Sequence, residues 1–254
     1  YAVCAAVQGA MVRSVPLQGG HFMPDLDSVR AAVETAPTES PIKIVFACTP
    51  KNHTGGAVPR GELLQHARGL QGRALLVVDE AYVEFSDDGS LAGDVASNEN
   101  LVVLRTLSKV HGLAAARVGC MIAAPEIVAF LRRIMPPYPV PTPCSDAAER
   151  ALSPESLQRT RQRVETVMRE RDWMRERLSR HPAVREVLPS QANFLCVRFD
   201  DAGARFAQLL GAGVVVRALR RQPGLDDALR ISIGTSREND TLLATLNANA
   251  TCAA

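Results

Sequence analysis

Short β-branched runs alternate with helical patterns along this chain of 254 residues. The runs predict strands at residues 42–48, 74–79, 101–106 and 117–123, and the patterns predict helices at about 25–34, 61–70 and 125–135. A further helix is expected at residues 1–9. Alternation of this kind favours an α/β fold with a mainly parallel sheet and helices on both faces. Ligands bind such sheets at the carboxyl ends of the strands, so the residues that follow each strand are the first candidates for a site.

A proline-rich segment separates this region from the rest of the chain. Residues 135–142 contain four prolines, and proline fixes φ and lacks the N–H that a helix interior or a central strand requires. We therefore predict a large domain at residues 1–140 and a small C-terminal domain at residues 141–254. The second domain should be an α+β unit with helices at about 145–152, 154–180, 202–210 and 237–246, and strands at about 184–187, 192–197, 214–216 and 229–233.

Charge and hydropathy exclude two classes of partner. The net charge is only +2, from 29 basic and 27 acidic residues, so no basic surface for nucleic acid is expected. The densest run of arginines, residues 159–180, is interspersed with glutamates and predicts a solvated, salt-bridged helix face. No apolar run is long enough for a membrane span, and no signal peptide opens the chain. These patterns indicate a cytoplasmic protein without a membrane partner.

The cysteine and histidine spacings predict no metal site and no disulfide framework. The six cysteines show no CxxC spacing, and several fall in apolar strand-like segments, so reduced and buried thiols are expected. They are Cys4, Cys48, Cys120, Cys144, Cys196 and Cys252. The histidines also lack the spacing of metal ligands.

Polar residues with complementary chemistry follow three of the predicted strands. Asn52 lies beyond strand 42–48, Asp79 ends strand 74–79, and Lys109 closes the segment Thr106-Leu107-Ser108-Lys109 after strand 101–106. Lys109 is one of three lysines in the chain, and Arg117 follows it by eight residues. A lysine beside hydroxyls and a guanidinium can bond covalently to an aldehyde cofactor whose phosphate the neighbouring side chains hold.

Pyridoxal 5′-phosphate is the cofactor that these residue types suit. It requires a carboxylate against the ring nitrogen, for which Asp79 is the candidate, and donors to the phenolic oxygen, for which Asn52 and Tyr82 are suitable. Hydroxyls and a bidentate cation suit the phosphate, and the candidates are Thr106, Ser108 and Arg117. Taken singly, Asp79 could cap a helix, Lys109 could be a surface lysine, and Asn52 could serve a turn. Their order at successive strand ends favours the cofactor.

The motifs resemble those of the fold type I, class I/II aminotransferases and, within them, the histidinol-phosphate aminotransferases. The resemblance covers essentially the whole chain and rests on eight matching segments. They are Asn52, Asp79-Glu80-Ala81-Tyr82, Thr106-Leu107-Ser108-Lys109, Gly112-Leu113-Ala114, Arg117-Val118-Gly119, Pro137-Tyr138, Ala192-Asn193-Phe194 and Leu229-Arg230-Ile231. It implies a pyridoxal phosphate transferase fold, with part of the large domain and a small α+β domain, and a homodimer when the chain is full length. In the family's asparagine loop, Lys51 and His53 replace an asparagine and a proline.

The resemblance also implies substrates and residues that bind them. The reaction would exchange the amine of glutamate with imidazole-acetol phosphate, so the partners are small amino acids and a phosphate-bearing substrate. Arg230 would bind the substrate carboxylate, Arg217 the phosphate or second acidic group, and Asn193 would lie near the substrate. Arg217 could instead form a salt bridge with Asp226 or Asp227.

Three alternatives to this function stay open. A phosphothreonine decarboxylase and an aromatic aminotransferase share the same cofactor residues. The chain opens at Tyr1 without methionine, so we also expect a fragment of a longer protein, without the family's glycine-led phosphate loop. Such a fragment could be inactive.

Overall fold

The computed structural model describes residues 1–248, and these form two compact units. The first unit comprises residues 1–49, 58–81 and 88–149. The second comprises residues 50–57 and 82–87 together with the chain from residue 150 onward. Two short segments that follow strands of the first unit therefore make most of their contacts within the second. The domain division at residue 140 stays a prediction.

The first unit is built on a four-stranded sheet. Its helices are α1 (Ala2–Val7), α2 (Leu26–Glu34), α3 (Arg60–Gly69), α4 (Pro125–Arg132) and α5 (Thr142–Ala151), the last of which ends in the second unit. A short antiparallel pair, β1 (Leu17–Gln18) and β2 (Met23–Pro24), precedes the main sheet. That sheet has the order β3 (Ile44–Cys48), β4 (Leu75–Asp79), β5 (Leu101–Thr106) and β6 (Gly119–Ile122).

The pairing of these strands sets where their polar ends lie. Strands β3, β4 and β5 are parallel, and β6 is antiparallel to β5. Asp79 pairs with Cys48 on one side and with Leu104 on the other. Strand β4 is buried on both faces, as expected of a central parallel strand. The sheet therefore gathers the ends of β3, β4 and β5 at one edge.

The second unit is an α+β fold around another four-stranded sheet. Its helices are α6 (Pro154–Ser179), α7 (Ala202–Gly211) and α8 (Ser236–Asn247). Its strands, in sheet order, are β7 (Val184–Val187), β8 (Phe194–Phe199), β10 (Ala228–Ser232) and β9 (Arg217–Ala218), and all neighbours are antiparallel. Buried residues of α6, α7 and α8 pack against β8 and β10, which carry a core of Leu195, Val197, Phe199, Leu229 and Ile231.

Several sequence predictions need correction. No strand covers residues 214–216, because the strand begins only at Arg217. Before it, Gly213 turns the chain at a φ of +79°, and the Val214 N–H donates to the Leu209 carbonyl at the end of α7. Strand β6 starts at Gly119 because Arg117 adopts a left-handed φ of +55°, which extended strand cannot include.

Two predictions about side-chain environment are also wrong in part. None of the five cysteines within residues 1–248 forms a disulfide, but only Cys196 is buried, and Cys4 and Cys120 are exposed; Cys252 lies outside the described residues. On α6, six of the seven arginines are exposed as predicted, but Arg171 is buried because it points at the carbonyls of two other segments. Within residues 1–248, no helix is long and apolar enough to cross a membrane.

Candidate functional site

The ten predicted site residues divide equally between the two units. The first unit holds Asp79, Thr106, Ser108, Lys109 and Arg117. The second unit holds Asn52, Tyr82, Asn193, Arg217 and Arg230. Each group is described within its own unit.

Asp79 presents its carboxylate at the end of β4. Its Oδ1 accepts the Ala81 N–H at 3.1 Å, and its Oδ2 accepts the Tyr1 hydroxyl at 2.5 Å. The Tyr1 ring stacks on Phe46, with the ring centroids 4.5 Å apart and the planes 11° from parallel. Burial raises the pKa of the Tyr1 hydroxyl, and the negative charges of Cys48 and Asp79 act in the same direction. An aromatic ring that carries one hydrogen-bond donor therefore fits against this carboxylate.

Glu80, the residue after Asp79, anchors this strand end. Its side chain is 1% exposed. Its Oε1 accepts the Leu91 N–H at 2.7 Å, its Oε2 accepts the Ser90 hydroxyl at 2.5 Å, and Arg105 of β5 lies 3.7 Å from the same oxygen. A buried carboxylate is stable only when such partners compensate its lost hydration. Glu80 thus links the ends of β4 and β5, which carry Asp79 and Thr106.

Thr106, Ser108 and Lys109 form the turn after β5. The Thr106 Oγ1 donates to Ser108 Oγ at 2.9 Å and accepts the Ser108 N–H at 3.1 Å. Lys109 is exposed, and both hydroxyls are partly buried. The turn therefore presents two neighbouring hydroxyls and an amine, which are the group types that hold a phosphate and attack an aldehyde.

Arg117 closes the loop that follows Lys109. Its Nη1 donates to the Ala114 carbonyl at 3.0 Å, and its guanidinium is exposed. Two residues later, a side chain at Gly119 would place its Cβ 2.8 Å from the Arg105 carbonyl oxygen. Only glycine allows β6 to approach β5 this closely, so Gly119 sets the position at which the loop carrying Arg117 returns to the sheet.

In the second unit, Asn52, Tyr82 and Arg230 share one hydrogen-bonded cluster. The Asn52 Oδ1 accepts both the Tyr82 hydroxyl at 3.0 Å and the Arg230 Nη1 at 2.6 Å. The same Nη1 donates to the Asn52 backbone carbonyl at 2.8 Å. Because Oδ1 faces two donors, the Nδ2 amino group is the part of Asn52 that can donate to an acceptor.

Phe194 supports this cluster from β8. The Arg230 guanidinium lies over the Phe194 ring, 4.8 Å from the centroid, and the Tyr82 ring meets it edge-on at 5.4 Å. Arg230 is thereby half-buried, and this burial lowers the pKa of its guanidinium. An arginine stays charged at any physiological pH, so the cluster holds a partly desolvated cation. Asn193, the neighbour of Phe194, accepts the Ile233 N–H at its carbonyl oxygen at 2.9 Å.

Further cations lie close to Arg230. Arg217 pairs with it directly across the antiparallel strands β9 and β10. Burial lowers the pKa of His53, and the charges of Arg230, Arg217 and Lys51 lower it further. The salt bridge considered for Arg217 is not formed within residues 1–248, because Asp227 instead pairs with Arg185 at 2.8 Å and Arg198 at 3.1 Å. This arrangement of cations is suited to binding an anionic ligand.

Comparison with known proteins identifies the family. The model of the aminotransferase class I and II family matches residues 1–246. The chain belongs to this family. Class I and II aminotransferases are enzymes, and the sheet of β3–β6 is part of their large-domain fold.

Two relatives share about half of the residues of this aminotransferase. The histidinol-phosphate aminotransferase of Stenotrophomonas maltophilia is 51% identical over 250 residues, which are 98% of this chain and 68% of the relative. The histidinol-phosphate aminotransferase of Xanthomonas axonopodis pv. citri is 50% identical, over 97% of this chain and 67% of the relative. This aminotransferase therefore spans about two thirds of the length of each relative.

A solved structure supports the fold. The histidinol-phosphate aminotransferase of Sinorhizobium meliloti, solved in complex with pyridoxal-5′-phosphate, superposes with a TM-score of 0.81 and 24% identity. The superposition covers 95% of this chain and 65% of that one.

Sequence reasoning missed two residues that organise the second unit of this aminotransferase. Arg171 was grouped with the solvated arginines of α6, and Gln191 was not singled out. Both contact the segment that carries Tyr82. The apolar residues at positions 167, 174 and 178 of α6 lie on the helical face that also contains Arg171, and this spacing was the available signal for its burial.

Proposed function

We propose that this aminotransferase exchanges the amine of glutamate with imidazole-acetol phosphate, in two half-reactions on pyridoxal 5′-phosphate. The observation that carries the proposal is the cluster of Arg230, Arg217 and Asn52. It offers two guanidinium groups, without a carboxylate partner in residues 1–248, to substrates that are anionic but differ in shape. A planar guanidinium can bind either a carboxylate or a phosphate. The two relatives at about half identity support the same substrates.

The residues of the first unit fit the cofactor. The hydrogen bond from the Tyr1 hydroxyl supports a carboxylate at Asp79 that accepts from a donor carried by an aromatic ring, which is what a protonated pyridine nitrogen requires. The hydroxyls of Thr106 and Ser108 and the guanidinium of Arg117 would hold the phosphate, and Lys109 would hold the aldehyde carbon. The cofactor supplies, when bound, a ring that withdraws electrons from the substrate Cα.

Each side chain then has a separate task. The Lys109 amine would take the proton from the substrate Cα and return it. Asp79 would keep the ring nitrogen protonated, and the Nδ2 amide of Asn52 would donate to the phenolic oxygen. The Tyr82 hydroxyl would donate to the same oxygen by turning its single proton away from Asn52 Oδ1. Arg230 would orient the substrate carboxylate, Arg217 the phosphate, and Asn193 would lie beside the substrate. From the family resemblance we also propose a homodimer that works in the cytoplasm.

Borohydride reduction followed by peptide mapping tests the role of Lys109. Reduction of the intact protein with its cofactor should leave a mass adduct on Lys109. The chain has only two other lysines, Lys43 and Lys51, and an adduct on either would overturn the assignment. Lys43→Arg is the matched control, because it removes an exposed lysine just before β3 and should keep the adduct on Lys109.

A substrate panel tests the reaction. Glutamate-dependent amination of imidazole-acetol phosphate should exceed amination of an aromatic keto acid. Release of carbon dioxide from phosphothreonine as the main activity would instead identify a decarboxylase. A cofactor-loaded protein without turnover on any of these substrates would contradict the proposal.

A further inference from the structure

Gln191 joins the two segments that carry Asn52 and Tyr82. Its backbone N–H donates to the Gly55 carbonyl at 2.8 Å, in the loop of residues 50–57. Its side-chain Oε1 accepts the Ser86 hydroxyl at 2.6 Å and the Asp87 N–H at 3.0 Å, in the segment of residues 82–87. A backbone N–H can only donate, so the oxygen of the Gln191 amide must face Asp87. One residue therefore binds both segments at once.

Close packing at Gly55 reinforces the first of these contacts. A Cβ at Gly55 would lie 2.1 Å from Ser190 Oγ and 3.1 Å from the Ser190 Cα, and the φ of Gly55 is +84°. The backbone of the asparagine loop thus lies directly against residues 190–191. Loops of this kind are otherwise among the more mobile parts of a protein. Contact with Ser190 and Gln191 fixes the loop three residues after Asn52.

Arg171 makes a second, independent link to the Tyr82 segment. This buried side chain of α6 donates from Nη1 to the Phe85 carbonyl and to the Ala192 carbonyl, both at 3.2 Å. Ala192 directly follows Gln191 in the chain. The segment of residues 82–87 is therefore held to residues 191–192 through a side-chain amide on one side and a guanidinium on the other.

We propose that Gln191 is a positioning residue that holds the Tyr82 hydroxyl and the Asn52 amide in fixed positions relative to each other. The two side chains meet at 3.0 Å, and each belongs to a segment that Gln191 binds. The inference rests on the proposed function, in which Tyr82 and Asn52 donate to the phenolic oxygen of the cofactor. Donors to that oxygen stabilise its anion, so their precise placement sets the pH at which the cofactor bound to Lys109 titrates.

Two substitutions of Gln191 separate positioning from packing. Gln191→Leu has similar size but no acceptor, whereas Gln191→Glu keeps an oxygen that can accept from both Ser86 and Asp87. Gln158→Leu, at an exposed position of α6, is the control for the loss of an amide. In the cofactor-loaded intact protein, Gln191→Leu should raise the midpoint of the pH titration of cofactor absorbance by about one unit, the size of one lost hydrogen bond to a charged group.

Turnover and hydrogen exchange should also be affected more strongly by Gln191→Leu than by Gln191→Glu. Gln191→Leu should lower kcat about tenfold, in proportion to the pKa change, with a smaller effect on the KM for glutamate. Hydrogen exchange at residues 82–87 should become faster in Gln191→Leu and stay close to wild type in Gln191→Glu. If Gln191→Leu does not fold, Ser86→Ala removes one of the two donors and should shift the midpoint in the same direction.

Two results would overturn the positioning role. One is a Gln191→Leu protein whose titration midpoint and hydrogen exchange match the wild type. The other is a Gln191→Glu protein that behaves like Gln191→Leu. A wild-type protein without cofactor absorbance would instead contradict the proposed function, and the exchange measurement would still decide whether Gln191 holds residues 82–87.

Discussion

Arg217 and Arg230 lie directly opposite each other on the antiparallel strands β9 and β10. Like charges at facing positions of a sheet repel, because their Cβ atoms are only about 5 Å apart. The Arg230 guanidinium is held by the oxygens of Asn52 and by the Phe194 ring, and within residues 1–248 no carboxylate pairs with either arginine. An anion between them would relieve this repulsion, which is why the pair is suited to a substrate that carries a carboxylate or a phosphate.

Substitution of Arg230 and substitution of Arg217 should therefore change the KM values for the two substrates differently. We expect Arg230→Gln to raise the KM for both glutamate and the phosphate-bearing substrate by about ten- to hundredfold, since a hydrogen bond to a charged group contributes about 1.5 to 3 kcal/mol. Arg217→Gln should raise mainly the KM for the phosphate-bearing substrate. Steady-state kinetics of both half-reactions measures this, with Arg163→Gln on the exposed face of α6 as the control. Equal effects of Arg217→Gln on both substrates would refute its phosphate role.

Substitution of Asp79 should slow the chemical step. Asp79→Asn replaces a carboxylate with an amide that cannot stabilise a protonated ring nitrogen. A nearby opposite charge favours the charged form by about 1 to 3 pKa units, so we expect kcat to fall by about 10- to 1,000-fold while cofactor absorbance is retained. Stopped-flow measurement of the glutamate half-reaction checks this. Asp226→Asn changes an exposed carboxylate and should have no effect; a normal rate in Asp79→Asn would exclude the role.

A methyl group at Gly119 should destabilise the first unit. The new Cβ would lie 2.8 Å from the Arg105 carbonyl oxygen, so β5 and β6 would have to separate. Overpacking of this kind costs about 1 to 3 kcal/mol, measurable as a lower urea midpoint of unfolding. Gly61→Ala, in α3 with open space around the new methyl group, should leave stability unchanged or raise it. Equal midpoints for Gly119→Ala and the wild type would contradict the close approach.

Buried histidines should make the fold sensitive to acid. Burial lowers the pKa of His66, and the charge of Arg30 lowers it further. The unfolded chain, with a histidine pKa near 6.5, therefore takes up a proton first as the pH falls. The stability associated with His66 is complete above the unfolded pKa and is lost as the pH drops from about 6.5 toward the folded pKa.

The slope of stability against pH tests this expectation. The free energy of unfolding of the wild type, measured with urea, should be lower at about pH 5 than at about pH 7.5. This decrease should be smaller in His66→Gln, because glutamine does not titrate. Gln158→Leu, which changes an exposed side chain without a titratable group, should keep the wild-type slope. An unchanged slope in His66→Gln would mean that His66 titrates alike in the folded and unfolded chains.

The sequence alone determined the elements and the order of the chemical groups along them. The β-branched runs that end at Asp79 and Thr106 became β4 and β5, because a central parallel strand is apolar on both faces and leaves this pattern locally. The α+β character of the C-terminal part followed from local periodicity in the same way, and the motifs around Lys109 and Asp79 indicated the family that the comparison shows.

Only the tertiary structure decided which partners the remaining polar groups take. Arg171 resembles its exposed neighbours in sequence, yet it binds the Phe85 carbonyl, 86 residues away. Gln191 meets Ser86 across 105 residues, and Asp227 pairs with Arg185 and Arg198 in place of Arg217. Local patterns report which face of an element is apolar, whereas these hydrogen bonds and ion pairs arise between segments that meet only when the chain has folded.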